Sequence, residues 1–241
     1  MSQYPNPFGI NRSRPLDYAA PESGTLVKFF NAVYAWMCVG LAITATVAFL
    51  VSQNREMLRG INGGVFIGLF IAQIVLVMVI VSAIDRISAS VATVLFLVYS
   101  ALTGITLAGI FLIYAKSDLA SAFVVSAGTF GAMSVYGMTT KRDLTGMGRI
   151  MTMLLIGLII ASIVTIFVHS TFLQVAINYL GVLVFVGLTA YDTQKLKVMA
   201  EQTSGNPAMA ARMQIVGSLV LYLDFINLFL FILRLMNSNR R

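Results

Sequence analysis

The feature that most constrains this chain is a series of seven apolar runs, each long enough to cross a lipid bilayer as a helix. A helix needs about 20 apolar residues to span a hydrocarbon core of about 30 Å. Strands of a membrane β-barrel would instead alternate strictly over about ten residues. The sequence therefore predicts an all-α integral membrane protein of seven transmembrane helices. The runs cover residues 27–51, 65–84, 89–114, 119–138, 150–168, 175–190 and 215–235.

Composition supports a lipid environment and argues against several other classes. Of the 241 residues, 59% are hydrophobic and 10% are charged, whereas a soluble domain averages about 25% charged residues. The net charge of +7 comes from basic residues scattered between the runs, so nucleic acid is not an expected partner. A single cysteine, Cys38, and a single histidine, His169, exclude most zinc, haem and iron–sulfur chemistry. No cofactor is expected.

The remaining segments define the domain organisation and the orientation. Residues 1–24 contain four of the five prolines and are predicted to form an exposed tail, followed by one transmembrane domain over residues 25–238. The longest predicted connection, 193–214, contains the turn-forming sequence Ser-Gly-Asn-Pro. Basic residues are more frequent in the segments that lie on the same side of the membrane as the N-terminus. The positive-inside rule therefore predicts a cytoplasmic N-terminus and a periplasmic or external C-terminus.

Small residues at four-residue intervals permit close approach of membrane helices. The same motif serves helix packing within one bundle and dimerisation of two chains, so both roles are open. We predict packing within the bundle. Two sets of this kind occur: Gly60, Gly64 and Gly68, and Ser100, Gly104 and Ala108.

Asp224 lies in the middle of a predicted span, and Asp192 lies at the end of one, because the helical pattern of the sixth run can continue through Tyr191 and Gln194. Seven of the nine acids fall in the tail or in connections, where a solvated charge needs no special explanation, but Asp192 and Asp224 do not. An ionised carboxylate near the bilayer centre costs about 2.5 to 3.5 kcal/mol and often marks an ion path. The alternative is a structural role, with each acid hydrogen-bonded to Tyr191, Tyr222 or Asn227. Spacing alone does not show that the two acids meet.

The sequences around both acids carry a resemblance to a known family. The stretches GLTAYDTQKLK at 187–197 and LYLDFINLFL at 221–230 resemble the two signature stretches of the Bax inhibitor family. YSALTGITL at 99–107, FGAMSVYG at 130–137 and MTTKRDL at 138–144 agree with it. The bacterial inner-membrane branch looks most similar.

That resemblance implies a fold of six helices wrapped around a central C-terminal seventh helix, in a bacterial inner membrane. It also implies a calcium leak that is regulated by a paired-aspartate pH sensor, here Asp192 and Asp224. Gln73 takes the position where some relatives carry an acid, and Arg86 is the nearest candidate for a basic partner. The other candidates for lining or supporting the path are Tyr191, Tyr222 and Asn227.

The chemistry of such a pair suggests a switch. Two close carboxylates in an apolar site do not both ionise easily, so they share a proton and titrate as a unit. The shared proton would hold the sixth and seventh helices together, and its loss would separate them or recruit a cation. Calcium favours several oxygen ligands, so carbonyls, hydroxyls or water would complete its coordination. Protons, calcium and lipid are the predicted partners.

Two other functions are compatible with the sequence. One is a non-conducting membrane regulator that binds other membrane proteins, which would fit the family's link with stress and cell death. The other is an intramembrane aspartyl protease, because Tyr191-Asp192 matches half of the protease pattern. The second half should read Gly-x-Gly-Asp, whereas Asp224 follows Leu-Tyr-Leu. The sequence thus favours a cation leak channel over an enzyme.

Overall fold

The computed structural model describes residues 23–168, 170–203 and 205–238. Within those ranges the chain is helical and contains no strand, which confirms the all-α prediction. Most of the predicted tail and His169 lie outside the described residues. The helices are α1 (Ser23–Gln53), α2 (Arg55–Gly60), α3 (Gly63–Ser82), α4 (Ala89–Leu107), α5 (Ile110–Ile113), α6 (Lys116–Thr139), α7 (Thr145–Phe167), α8 (Thr171–Thr203) and α9 (Pro207–Ser238).

Seven helical segments are long and apolar enough to cross a membrane, as predicted. They are α1, α3, α4 together with α5, α6, α7, α8 and α9. Three of the connections end in polar N-caps: the side chains of Asn54, Asn62 and Ser88 accept hydrogen bonds from backbone N–H groups at the starts of α2, α3 and α4. Such caps satisfy donors that have no partner within the helix, so these helices begin where the apolar runs are interrupted by a capping residue.

The predicted connection at 193–214 is wrong. Helix α8 continues to Thr203 and α9 begins at Pro207, so only residues 204–206 join them. The two helices contain 33 and 32 residues, or about 50 Å each at 1.5 Å per residue. Apolarity marks only the part of a helix that crosses hydrocarbon. Beyond it, residues such as Lys, Met, Ala and Gln still favour a helix, and proline is well suited to the first helical position.

Helix α9 is the most buried span. In its most apolar window 72% of residues are buried, against 11% to 39% in the other spans. It packs against α1, α4, α6 and α8, whereas α3 packs mainly on α4, and α7 mainly on α8. The last helix therefore forms much of the core. The complete ring of six helices around it is not confirmed and stays a prediction.

The two sets of small residues have different roles. Ser100 and Ala108 are fully buried, and a Cβ atom on Gly104 would lie 2.7 Å from the carbonyl oxygen of Thr44. This set brings α4 against α1, as predicted. Around Gly60, Gly64 and Gly68, the space for a Cβ atom is open except for the nearby Asn62 side chain. The prediction of close packing within the bundle is wrong for that set, because the α3 face that carries Gly64 and Gly68 meets no other helix among the described residues.

Candidate functional site

The two acids of the predicted spans meet between α8 and α9. The carboxyl groups of Asp192 and Asp224 lie within hydrogen-bonding reach of each other. Asp224 is buried, with 5% of its surface exposed, and Asp192 is half-buried. In the described parts of the chain, the buried Oδ2 atom of Asp224 has no hydrogen-bond partner. The arrangement can hold a proton between two carboxyl groups.

The length of α8 explains how Asp192 and Asp224 reach the same depth in the helix bundle. From the apolar run alone, Asp192 would lie at the end of a span, close to Lys195. Because α8 continues to Thr203, Asp192 instead lies within a longer helix. Lys195 is one turn further along, close enough for its charge to act on the Asp192 carboxyl. The spacing Asp-x-x-Lys on one helix had already indicated that the two side chains lie about one turn apart.

Close packing of α6 holds the α8 segment that carries Asp192. A Cβ atom on Gly137 would overlap the carbonyl oxygen of Ala190 and lie 3.0 Å from the Cβ atom of Thr193. The Thr193 hydroxyl donates to the Thr189 carbonyl at 2.7 Å and lies 3.4 Å from the hydroxyl of Ser134 on α6. Only a glycine at 137 permits this approach.

Tyr222 is held by α1 and α4, not by the acid pair. Its hydroxyl lies 2.6 Å from the Thr44 hydroxyl, which in turn donates to the carbonyl of Ser100 at 2.8 Å. Because Thr44 has a single proton to give, Tyr222 is the donor in the first bond. The Tyr222 ring makes edge contacts with the rings of Phe96 and Tyr99. Tyr222 thus links α9 to α1 and α4.

Neither Tyr191 nor Asn227 satisfies the acids. The Tyr191 ring packs against α7, where a Cβ atom on Gly148 would lie 2.5 Å from the ring. Asn227 donates from Nδ2 to the carbonyl of Leu223 in its own helix, at 2.8 Å. Among the described residues, no hydrogen bond joins these side chains to Asp192 or Asp224. The purely structural alternative, with acids bound by these neighbours, therefore has no support in the geometry.

The structure does not bring Gln73 or Arg86 to the acid pair. Gln73 is buried and donates from Nε2 to the hydroxyls of Thr103 and Thr106, at 3.3 and 3.2 Å, linking α3 to α4. Arg86 is exposed in the connection that follows α3. In the described chain, the charged groups that act on the two acids are each other and Lys195.

Asp118 corrects another expectation. It was predicted to lie in a solvated connection, but α6 begins at Lys116, so Asp118 lies in the first helical turn with 8% of its surface exposed. An acid in the first turn is favoured by the helix dipole.

The acid pair supplies only part of a cation site. Calcium takes six to eight oxygen ligands, and the described residues contain no group of three or more His, Cys, Asp or Glu side chains that could hold a metal ion. Asp192 and Asp224 would contribute carboxylate oxygens, and the remaining ligands would come from hydroxyls, carbonyls or water. Two carboxyl groups alone are too few to complete such a coordination shell.

Seven membrane spans with an ionisable pair between the last two define a polytopic integral membrane protein. Residues 26–241 match the family described as inhibitor of apoptosis-promoting Bax1. The chain therefore belongs to the Bax inhibitor-1 family.

Three similar proteins come from bacteria. The inner membrane protein YbhL of Escherichia coli strain K12 is 50% identical over 223 residues, covering 91% of this chain and 95% of that protein. An uncharacterized protein of Borreliella burgdorferi is 45% identical, with 88% and 93% covered. An uncharacterized protein of Deinococcus radiodurans is also 45% identical, with 87% and 90% covered. None of these names describes an enzyme.

Proposed function

We propose that this protein is a pH-sensitive cation leak channel, with calcium as its main ion, and that the Asp192–Asp224 pair is its gate. The bilayer is the inner membrane, as the name of the Escherichia coli relative suggests. The N-terminus is cytoplasmic and the C-terminus periplasmic or external, in agreement with the positive-inside rule. No cofactor and no enzymatic activity are part of the proposal.

The observation that carries the proposal is the contact between two acids on adjacent helices of the core. Polar groups buried in a protein are nearly always hydrogen-bonded, yet Oδ2 of Asp224 has no partner among the described side chains and backbone groups. An acid in this position is costly in a membrane and contributes little to packing. A role that depends on its proton explains why it is there.

The gate works through the charge of the pair. With one proton shared between the carboxyl groups, α8 and α9 are held together and the path is closed. When that proton leaves, two negative charges face each other in a site of low dielectric, where their repulsion is strong. The helices then separate, or a cation enters between them. Lys195 offsets part of this repulsion at Asp192.

Gln73 is a neutral member of the proposed path. Its amide is held by Thr103 and Thr106, so its carbonyl oxygen could serve as one oxygen ligand for a passing ion. Tyr191 and Asn227 have supporting roles at most, because their contacts lead elsewhere. The same holds for Arg86, which is exposed in the connection after α3.

The test is calcium release from liposomes that contain the purified protein, measured with an indicator dye over a pH series that extends to both sides of neutrality. We expect wild-type flux to rise with pH and to respond little to pH in Asp192→Asn and Asp224→Asn. Asp85→Asn is the matched control, because Asp85 is exposed in the connection between α3 and α4. If both variants of the pair keep the wild-type profile, the proposed gate is wrong.

The flux assay tests the regulator alternative, and a separate cleavage assay tests the protease alternative. A non-conducting regulator would give no flux at any pH, and the open glycine face of α3 would suit contact with another membrane protein. An intramembrane protease would cleave a membrane-embedded substrate, and Asp192→Asn would abolish that cleavage.

A further inference from the structure

A polar cavity of about 490 Å³ lies where the α6–α7 connection meets α8. This volume is in the range of about 300 to 1,000 Å³ that is usual for ligand pockets. Its lining combines four cations with two acids. The residues around it are Thr140, Lys141, Arg142, Asp143, Thr145, Tyr191, Gln194, Lys195, Lys197, Val198 and Glu201.

The wall of the cavity is held in place by hydrogen bonds. Gln194 on α8 accepts from the backbone N–H of Leu144 and donates to the backbone carbonyl of Arg142, both at 2.8 Å. Leu144 itself is buried, with 5% of its surface exposed. The connection is therefore fixed against α8 at two backbone positions, and the Arg142 side chain is not used in that contact.

The charge of the lining is positive. Lys141, Arg142, Lys195 and Lys197 outnumber Asp143 and Glu201 by two. Asp143 is engaged at the start of α7, where its carboxylate accepts from the backbone N–H of Thr145 at 2.8 Å. Hydrogen bonds from the Thr145 hydroxyl and backbone lower the pKa of Asp143, so it stays anionic at neutral pH and is already paired with that helix end.

The cavity lies at the boundary of the membrane. The α6 span ends at Thr139 and the α7 span begins at Thr145, and a connection between two spans is expected at the level of the lipid headgroups. Basic pockets between membrane helices at this level bind anionic headgroups. Lipid headgroups thus place phosphate groups beside a pocket whose net positive charge attracts them.

We propose that this cavity binds a phosphate-bearing anion, either the headgroup of an anionic lipid or a free phosphate compound. Arg142 on the connection and Lys197 on α8 provide donors, and Lys141 and Lys195 add to the positive field. Charge-assisted bonds from arginine and lysine are the usual way in which proteins hold phosphate. The inference does not depend on the proposed conduction, because the pocket binds its ligand whether or not ions pass.

The test uses the purified full-length protein in detergent, titrated with phosphatidylglycerol or with phosphatidylcholine and observed by native mass spectrometry. The two lipids share a phosphate, but the choline cation cancels its charge. We expect phosphatidylglycerol to bind at least about tenfold more tightly, and the double variant Arg142→Gln/Lys197→Gln to lose about tenfold or more, since each charged hydrogen bond is commonly worth that much.

The charge-matched control is Arg59→Gln/Lys116→Gln, which removes one arginine and one lysine at the opposite end of the spans. This control should bind phosphatidylglycerol as the wild type does. The inference is overturned if the two lipids bind equally, or if the two double variants behave alike. It is also overturned if the cavity variant retains wild-type affinity.

Competition with millimolar inorganic phosphate separates the two sources of ligand. Displacement of phosphatidylglycerol by phosphate supports a site that also takes soluble phosphate compounds. Retention of the lipid supports a headgroup site. A pocket that binds neither phosphatidylglycerol nor inorganic phosphate contradicts the inference.

Discussion

The backbone of α6 at Gly137 lies directly against the carbonyl group of Ala190 on α8, two residues before Asp192. This contact fixes the position of the α8 segment that carries Asp192, both along the helix axis and in rotation about it. The atom that would meet a new side chain belongs to the backbone, so it cannot turn away. The contact therefore links helix packing to the geometry of the candidate gate.

We expect Gly137→Ala to destabilise the protein, because the added methyl group must push α6 and α8 apart. Overpacking of this kind costs about 1 to 3 kcal/mol. Thermal unfolding of the purified protein in detergent measures the loss. Gly131→Ala on the same helix is the control, because the space at Gly131 is open and alanine favours a helix. Equal stability of the two variants would contradict the packing argument.

Tyr222→Phe should cost about 1 kcal/mol of unfolding free energy, because it removes the bond to Thr44 without changing the ring contacts. Thr44→Val removes that bond and also the one to the Ser100 carbonyl, so the double variant isolates the Tyr222–Thr44 coupling. Chemical unfolding of the four proteins provides the cycle. Tyr136→Phe, at an exposed tyrosine, should have no effect. A coupling energy of zero would mean that the hydroxyl pair does not tie α9 to α1.

Gln194→Ala should release the α6–α7 connection from α8, because both backbone bonds of that side chain are lost. We expect hydrogen exchange at the Leu144 amide to accelerate by about tenfold, the change that corresponds to about 1.4 kcal/mol. Gln202→Ala, at an exposed position of the same helix, is the matched control. Unchanged exchange at Leu144 in the Gln194 variant would show that the connection is held by other contacts.

The thermal stability of the protein should decrease as pH rises through the titration of the acid pair. The folded state loses its shared proton over that range and gains two facing negative charges, so stability is present at low pH and is lost above it. Asp224→Asn should reduce this dependence, because only one acid remains to ionise. Melting temperatures over a pH series measure the effect, with Asp85→Asn, at an exposed position of the α3–α4 connection, as the control that keeps the wild-type slope.

Lys195→Gln should move the midpoint of the pH response upward by as much as about one pH unit, because an opposite charge near a carboxylate favours its ionised form. Arg86→Gln removes the same charge from the exposed α3–α4 connection, where it does not act on the acid pair. Arg86→Gln should leave the midpoint unchanged. Calcium flux over a pH series measures the midpoint for both variants. A shift in the Arg86 variant alone would mean that Arg86, and not Lys195, is the basic group that acts on the acid pair.

Much of the architecture could be predicted from local properties of the sequence. Seven apolar runs correspond to seven spans because hydrocarbon requires about 20 apolar residues in a row, whatever the rest of the chain does. Asp192 and Asp224 could be selected for the same reason, since an acid inside such a run or at its end is costly wherever its helix packs. The stretches around both acids also identified the family. These conclusions depend on neighbours in the chain alone.

Only the tertiary structure decided which of these residues meet. The α8–α9 register, the approach of α6 at Gly137, the Tyr222–Thr44 bond and the open glycine face of α3 all depend on how helices tilt and turn towards one another. A run that is apolar on every side carries no signal of which face is inward, because lipid and core are equally apolar. The sequence by itself therefore determined the spans and their acids, and three-dimensional packing determined that the acids form a pair.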